Sequence, residues 1–242
     1  MDVDKIIEVR NLVKKFGAFV ANDHLTFDVE RGEIFGFLGA NGAGKTTAMK
    51  ILCGLSKPTS GQVLVAGYDV ALYPEKVKRS IGYMSQKFSL YEDLTVVENL
   101  RLYGAIYGLG RREIAERTEQ ALKRLDLYDA RHRLIKTFSL GWKQKLAFSS
   151  AILHRPAIVF LDEPTSGVDP VTRRQFWEMI YETAAEGITV FVTTHYMDEA
   201  EYCHRVTMMV DGKIEDLDQP SALKTAYGVK TMNDLFVKLA RK

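Results

Sequence analysis

The chain has 242 residues, enough for one large domain or two lobes, and enough to bury roughly 70–75% of its unfolded surface. Its 33 Lys+Arg against 31 Asp+Glu leave a formal charge of only +2, so the basic excess of a dedicated nucleic-acid binder is missing and no nucleic-acid partner is expected. Apolar runs stay short of the roughly 20 residues that a membrane span needs, and Met1-Asp2-Val3-Asp4-Lys5 is too polar and acidic for a signal peptide.

The first stretch alternates in period two. Ile7 and Val9, then Leu25, Phe27 and Val29, point one way, with Glu8, Arg10, Thr26 and Asp28 between them; this predicts strands with one buried face. Lys14-Lys15-Phe16-Gly17 reads as a turn-like segment carrying an aromatic. Phe16 has two readings of equal weight, a half-buried turn aromatic or a platform for a nucleotide base.

An apolar strand with Ile34, Phe35, Phe37 and Leu38 then leads into Gly39-Ala40-Asn41-Gly42-Ala43-Gly44-Lys45-Thr46, and Thr47 opens a helical run. This is the G-x-x-x-x-G-K-[ST] pattern in the strand–loop–helix setting that it requires. Glycines let backbone N–H groups turn inward around oxyanions, and the helix start adds its unpaired N–H groups and positive dipole end. Lys45 would reach the β- and γ-phosphates, and the Thr46 hydroxyl would ligate Mg²⁺. The segment is a nucleotide-binding loop.

Pro58-Thr59-Ser60-Gly61 turns the chain into a strand at Gln62–Val65, and Ile81–Met84 is a further short strand ending at Gln86. From residue 87 to 155 the texture becomes helical. Thr95-Val96-Val97-Glu98 is a capping-box start for a helix ending at Gly108; further helices are predicted over 112–125 and 139–154, stopped by Pro156. After Pro156 an apolar strand ends in Asp162-Glu163. Asp169-Pro170 caps a helix running to Glu186, and a second apolar strand ends at Thr193-Thr194-His195. Asp211-Gly212 marks a hairpin, and Met232, Leu235, Phe236 and Leu239 have the spacing of a helix packed on the domain.

Three buried strands thus end in polar residues, and in an open parallel α/β sheet ligands sit at the carboxyl ends of strands. Asp162 suits Mg²⁺, which prefers hard oxygen ligands, and Glu163 would polarise an attacking water. By itself His195 reads equally as a core histidine or a γ-phosphate contact; His24, His132, His154 and His204 read as structural. Cys53 and Cys203 lie in apolar patterns and suit a reducing cytosol.

The ordered set Phe16, Gly39–Thr46, Gln86, Ser139-Leu140-Gly141, Asp162-Glu163, Ser166-Gly167-Val168-Asp169 and His195 resembles the ATP-binding subunit of ABC transporters. The wording around the motifs is most similar to type 2 exporters of the multidrug kind. The resemblance covers the chain from near its start to about residue 220. It implies an α/β P-loop NTPase core with a mixed sheet, a small antiparallel β subdomain and an inserted helical lobe. The expected division is 1–86 with 156–220 as core, 87–155 as helical lobe and 221–242 as helical tail. It also implies a head-to-tail dimer, with a homologous or identical second ATP-binding subunit, that sandwiches two ATP molecules. Phe16 becomes the adenine-stacking residue, Gln86 the Mg²⁺-sensing hinge, Ser139 and Gly141 contacts to the partner's γ-phosphate, Asp169 a residue facing the partner, and His195 the switch histidine. Glu163, His195, Gln86 and Lys45 carry hydrolysis; Thr46, Gln86 and Asp162 attend the metal; the loop from Gly39 to Thr47 holds the nucleotide.

A transmembrane permease would dock near Gln86, Phe88 and Tyr91, placing the chain on the cytoplasmic face of the membrane, whereas Leu94 and Tyr103 are expected in the helical lobe's own core. Two positions depart from the family pattern: Ala40 where proline is frequent, and Leu140 where glycine is common. The competing readings are a soluble ABC ATPase acting on DNA or ribosomes, a regulatory module that dimerises on ATP without useful turnover, and a P-loop small-molecule kinase. The kinase leaves Gln86, the Ser139 motif and His195 without a purpose.

Overall fold

The computed structural model describes residues 4–86 and 90–240. Two long strands, β1 (Lys5–Phe16) and β2 (Phe19–Glu30), form an antiparallel hairpin, and β4 (Ser60–Val65) and β5 (Tyr68–Asp69) extend it into a four-stranded sheet in the order β2-β1-β4-β5. Lys14, Lys15 and Phe16 belong to β1 rather than to a turn, because their backbones pair with Asn22, Val20 and Phe19. The reversal is confined to Gly17-Ala18.

The second sheet has six strands in the order β10-β9-β3-β8-β7-β6. Its members are β3 (Ile34–Gly39), β6 (Ile81–Met84), β7 (Ile158–Asp162), β8 (Thr189–Thr194), β9 (Arg205–Val210) and β10 (Lys213–Asp218). All neighbours are parallel except β9 and β10, which form the hairpin signalled by Asp211-Gly212. Buried on both faces, the central strands sort their side chains by period two. Phe35, Phe37, Phe160 and Phe191 face the small sheet and helix α1 (Lys45–Leu52), their rings 5.3–5.6 Å apart around Phe191. Ile34, Leu38, Val159, Leu161, Val190 and Val192 face the other way, onto α5 (Leu140–Ile152), α6 (Pro170–Ala185) and α8 (Met232–Leu239).

Between β6 and β7 the chain forms α3 (Val96–Ile106), α4 (Arg111–Arg124) and α5. Val96, Leu100, Leu122, Ile135 and Leu146 make a third buried cluster there. The Thr95 side chain accepts from Glu98 N while Glu98 returns a carboxylate to Thr95 N at 2.8 Å, so the expected capping box is present. Leu94 and Tyr103 stand outside that cluster. Both are only half-buried, and Tyr103 lines a small gap with Tyr83, Met84, Leu90 and Ala147, at the seam between helices and sheet. The tail holds two short helices, α7 (Pro220–Tyr227) and α8; Met232, Leu235 and Leu239 are buried against the second cluster. Among the described residues no helix is long and apolar enough to cross a membrane.

Candidate functional site

Parallel pairing sets Leu38 beside Thr194 and Asp162 beside Thr193, so the carboxyl ends of β3, β7 and β8 lie together. The loop after β3 passes under the start of β2. Gly44 has φ +98°, and a Cβ there would meet the Ala21 carbonyl at 2.3 Å, so the close approach of the two backbones demands glycine. The Asn22 side chain, fully buried, holds this contact by donating from Nδ2 to Gly44 O at 3.1 Å.

Lys45 is 5% exposed. Its Nζ donates to Gly39 O at 2.7 Å and Ala40 O at 2.9 Å, and lies 3.9 Å from Glu163 Oε1. Burial pulls its pKa below the ordinary lysine value, and the nearby carboxylates of Glu163 and Asp162 oppose that shift. Asp162, also buried, is pushed the other way: desolvation raises its pKa, while the Thr193 hydroxyl, donating at 2.8 Å to Oδ1, favours the ionised form. Thr46 Oγ1 stands 3.5 Å from the same Oδ1.

Glu163 occupies the left-handed region at φ 48°, which for a residue with a side chain costs on the order of 1–2 kcal/mol. Its N–H is held by the carbonyl and the hydroxyl of Thr193, both at 3.1 Å. The turn aims the carboxylate across the cleft, where Oε2 accepts from Gln86 Nε2 at 3.0 Å and lies 3.0 Å from His195 Nδ1. At that second approach His195 Nδ1 completes no hydrogen bond.

Lys45, Thr46, Gln86 and Glu163 border a cleft of about 400 Å³ that is also lined by Phe19, Ala21, Asn41, Gly42, Gly44 and Thr47; Asp162 and His195 stand outside the lining and touch it through Thr46 and Glu163. Lys45, Thr46, Asp162, Glu163, Gln86 and His195, spread over 150 residues of sequence, therefore converge. Phe16 is not part of the lining. It is 56% exposed at the hairpin tip with the Lys14 ammonium 5.0 Å from its ring, and its strand partner Phe19, 64% exposed, borders the cleft instead. Sequence reasoning passed over Phe19 and Thr193; the hint for Thr193 was a hydroxyl ending an apolar strand directly before Thr194-His195.

Ser139, Gly141 and Asp169 also lie outside the cleft lining. Ser139 is the exposed N-cap of α5, and Leu140, 43% exposed, packs its Cδ2 beside Gly167. A Cβ on Gly141 would meet Thr172 Cγ2 at 2.5 Å, so this glycine lets α5 approach α6. Gln144 donates to Ser166 O at 3.2 Å across the same seam. Asp169 caps α6, accepting from Val171 N and Thr172 N at 3.0 Å, and its bonds with Thr172 lower its pKa. Tyr91 is exposed, and buried Asn99 grips its backbone at N and O (2.9 and 3.0 Å). Phe88 lies outside the described residues. Two of the remaining histidines have packing roles: His154 stacks on Tyr107 at 3.7 Å, and His204 Nδ1 accepts from Ile34 N at 3.1 Å.

The family model described as "ABC transporter" matches residues 22–166. The chain is 49% identical over 241 residues to the Escherichia coli (strain K12) protein "Probable multidrug ABC transporter ATP-binding protein YbhF"; the match covers 98% of this chain and 42% of that relative, so the chain spans less than half of its length. A solved structure described as "Structure of ATP binding subunit of ABC transporter" superposes with a TM-score of 0.86 at 31% identity, covering 97% of this chain and 99% of that one. A second, a dimeric ATP-binding cassette in a post-hydrolysis state bound to ADP and Pi, gives a TM-score of 0.78 at 26% identity, covering 88% and 98%.

Proposed function

Because this chain belongs to the ABC transporter family, we propose that it is an ATP-binding subunit that hydrolyses ATP and thereby powers export through a separate transmembrane permease. The observation that carries the reading is the convergence of Lys45, Thr46, Gln86 and Glu163 on one cleft at the carboxyl ends of β3, β6 and β7, with Asp162 reaching Thr46 and His195 reaching Glu163 from beside it.

In this reading the loop Gly39–Thr47 wraps the phosphates with backbone N–H groups, helped by the amino end of α1. Lys45 gives up its bonds to Gly39 O and Ala40 O in favour of the phosphate oxygens. Glu163 orients and polarises the attacking water, with Gln86 and His195 steadying its carboxylate. Phe16 and its neighbour Phe19 present aromatic surface at the hairpin tip for the adenine.

The donor set also fits Mg²⁺. Thr46 Oγ1 and Asp162 Oδ1 are two hard oxygens 3.5 Å apart, and the raised Asp162 pKa marks a buried carboxylate that a cation would stabilise. With only these two protein oxygens at hand, phosphate and water would complete the shell. Bound there, the ion would neutralise charge on the phosphates; Gln86 would sense it from the other side of Glu163.

The exposed Ser139-Leu140-Gly141 segment and the capped Asp169 turn lie away from this chain's own cleft, where a second copy or a homologous subunit could use them. We assign them to the facing site of a dimer, with Ser139 and Gly141 toward the γ-phosphate. Exposed Tyr91, whose backbone is gripped by Asn99 and which is near Gln86 in sequence, is our candidate for the described part of a permease dock, and a chain docked there would work at the cytoplasmic membrane face.

The test is Lys45→Ala. Charge-assisted hydrogen bonds contribute about 1.5–3 kcal/mol each, so losing them should weaken Mg·ATP binding about a hundredfold or more, with thermal unfolding near the parent's. Unchanged affinity would take the loop out of nucleotide binding. Recovery of a membrane protein with the tagged chain from solubilised membranes checks the permease.

A further inference from the structure

Behind the cleft, a carboxylate with 0% exposure joins the turns that carry Glu163 and His195. Glu199 lies in the short helical turn Met197–Tyr202, which follows His195-Tyr196 directly. The Thr165 hydroxyl, two residues beyond Glu163, donates to Glu199 Oε1. From α6, Arg173 brings Nε to 3.7 Å from that same oxygen and Nη1 to 3.6 Å from Asp198 Oδ2. Its guanidinium also lies over the Tyr196 ring at 4.3 Å, and the Tyr196 ring is 4.2 Å from the His195 ring.

A carboxylate shut away from water needs a counter-charge. Arg173 suits the place better than lysine would, because a flat guanidinium can turn an edge to Glu199 while its face packs on Tyr196. Arg173 Nε and Glu199 Oε2 complete no hydrogen bond with the protein, so charge and packing hold the pair instead of a bidentate fork. Arg173 is also one turn from Asp169, whose carbonyl accepts from Arg173 N at 3.0 Å. Three segments thus meet on one ion pair: the turn after β7, the loop after β8 and the first turns of α6.

We propose that Arg173 and Glu199 are positioning residues for hydrolysis, fixing the His195 loop against the Glu163 turn and tying both to the α6 turn that carries Asp169. The proposal rests on the ATPase reading of the cleft. Neither residue lines the cleft. Their removal should therefore spare ATP binding and misplace the catalytic groups, and a displacement near 1 Å is enough to slow chemistry about a hundredfold.

The experiment compares the full chain with Arg173→Met, Arg173→Lys and Thr165→Val, reading kcat and KM for Mg·ATP together with the His195 imidazole resonance in a ¹H–¹³C spectrum. Expected are a fall in kcat of about ten- to hundredfold for Arg173→Met, KM within about twofold, a shifted His195 signal and partial recovery in Arg173→Lys. A kcat like the parent's, or a fall matched by a large rise in KM with His195 unmoved, overturns the proposal. If Arg173→Met does not fold, the same split is required of Thr165→Val and Arg173→Lys. Glu163→Gln runs alongside: a variant as fast as the parent defeats the reading of the cleft itself and this proposal with it. A slow Glu163→Gln beside an unaffected Arg173→Met defeats the positioning role alone.

Discussion

Replacing Glu163 with Gln is the sharpest perturbation of the cleft, because it removes a charge and a base while leaving the volume and the backbone turn in place. In the parent, Oε2 accepts from Gln86 Nε2 at 3.0 Å, and Oε1 lies 3.9 Å from Lys45 Nζ. The glutamine carbonyl can still accept from Gln86, so the side chain should keep its direction. The Thr193 contacts that hold the left-handed turn run through the backbone N–H and are untouched. On the proposed role of Glu163, what would disappear is proton acceptance from water, worth about 10²–10⁴ in rate, or about 2.7–5.4 kcal/mol of barrier at 1.36 kcal/mol per decade. Lys45 loses its nearer carboxylate but keeps Asp162, and its two carbonyl partners belong to the loop. ATP affinity should therefore stay within a few fold. Steady-state phosphate release at saturating Mg·ATP, with affinity from nucleotide fluorescence, measures both quantities. Turnover within about threefold of the parent's would remove Glu163 from the base role and undo the argument from its geometry.

Leu140 begins α5 and leans on Gly167, so Leu140→Gly should free the approach of a facing subunit, raise basal ATPase activity and cost about 1 kcal/mol of stability, while Ser139→Ala should lower turnover. A slower Leu140→Gly with an intact fold, followed as rate against protein concentration, would show instead that Leu140 belongs to a working contact. His154 gives a pH signature. Burial holds its pKa down at about 4 against the ordinary 6.5, so the unfolded chain takes up the extra proton first and stability must fall as pH drops from 6.5 toward 4. Urea unfolding should lose about 2 kcal/mol between pH 7 and pH 5 through this group, and His154→Gln should lack that part of the slope. An unchanged slope in the variant would assign the effect elsewhere.

Local physics made much of this molecule legible in one dimension. Alternation set Ile7, Val9, Leu25, Phe27 and Val29 on one buried face, and the structure places all five in one cluster. The Thr95 capping box, the Asp169-Pro170 helix start and the Asp211-Gly212 hairpin act over two to four residues, so a linear reading could find them. Glycine spacing before Lys45 announced a phosphate loop for the same reason. Short elements such as β5 and α2 (Pro74–Ser80) escaped, since two and seven residues are too few to display a period. The cleft itself was half legible: its polar strand ends could be named, but not their partners. Register across parallel strands put Thr193 beside Asp162, and hairpin pairing set Phe19, not Phe16, on the cleft wall. The Thr165–Glu199 hydrogen bond spans 34 residues. Such contacts are chosen by how sheets and helices pack, and only the folded chain, with water excluded around Glu199, gives Arg173 its reason to be there.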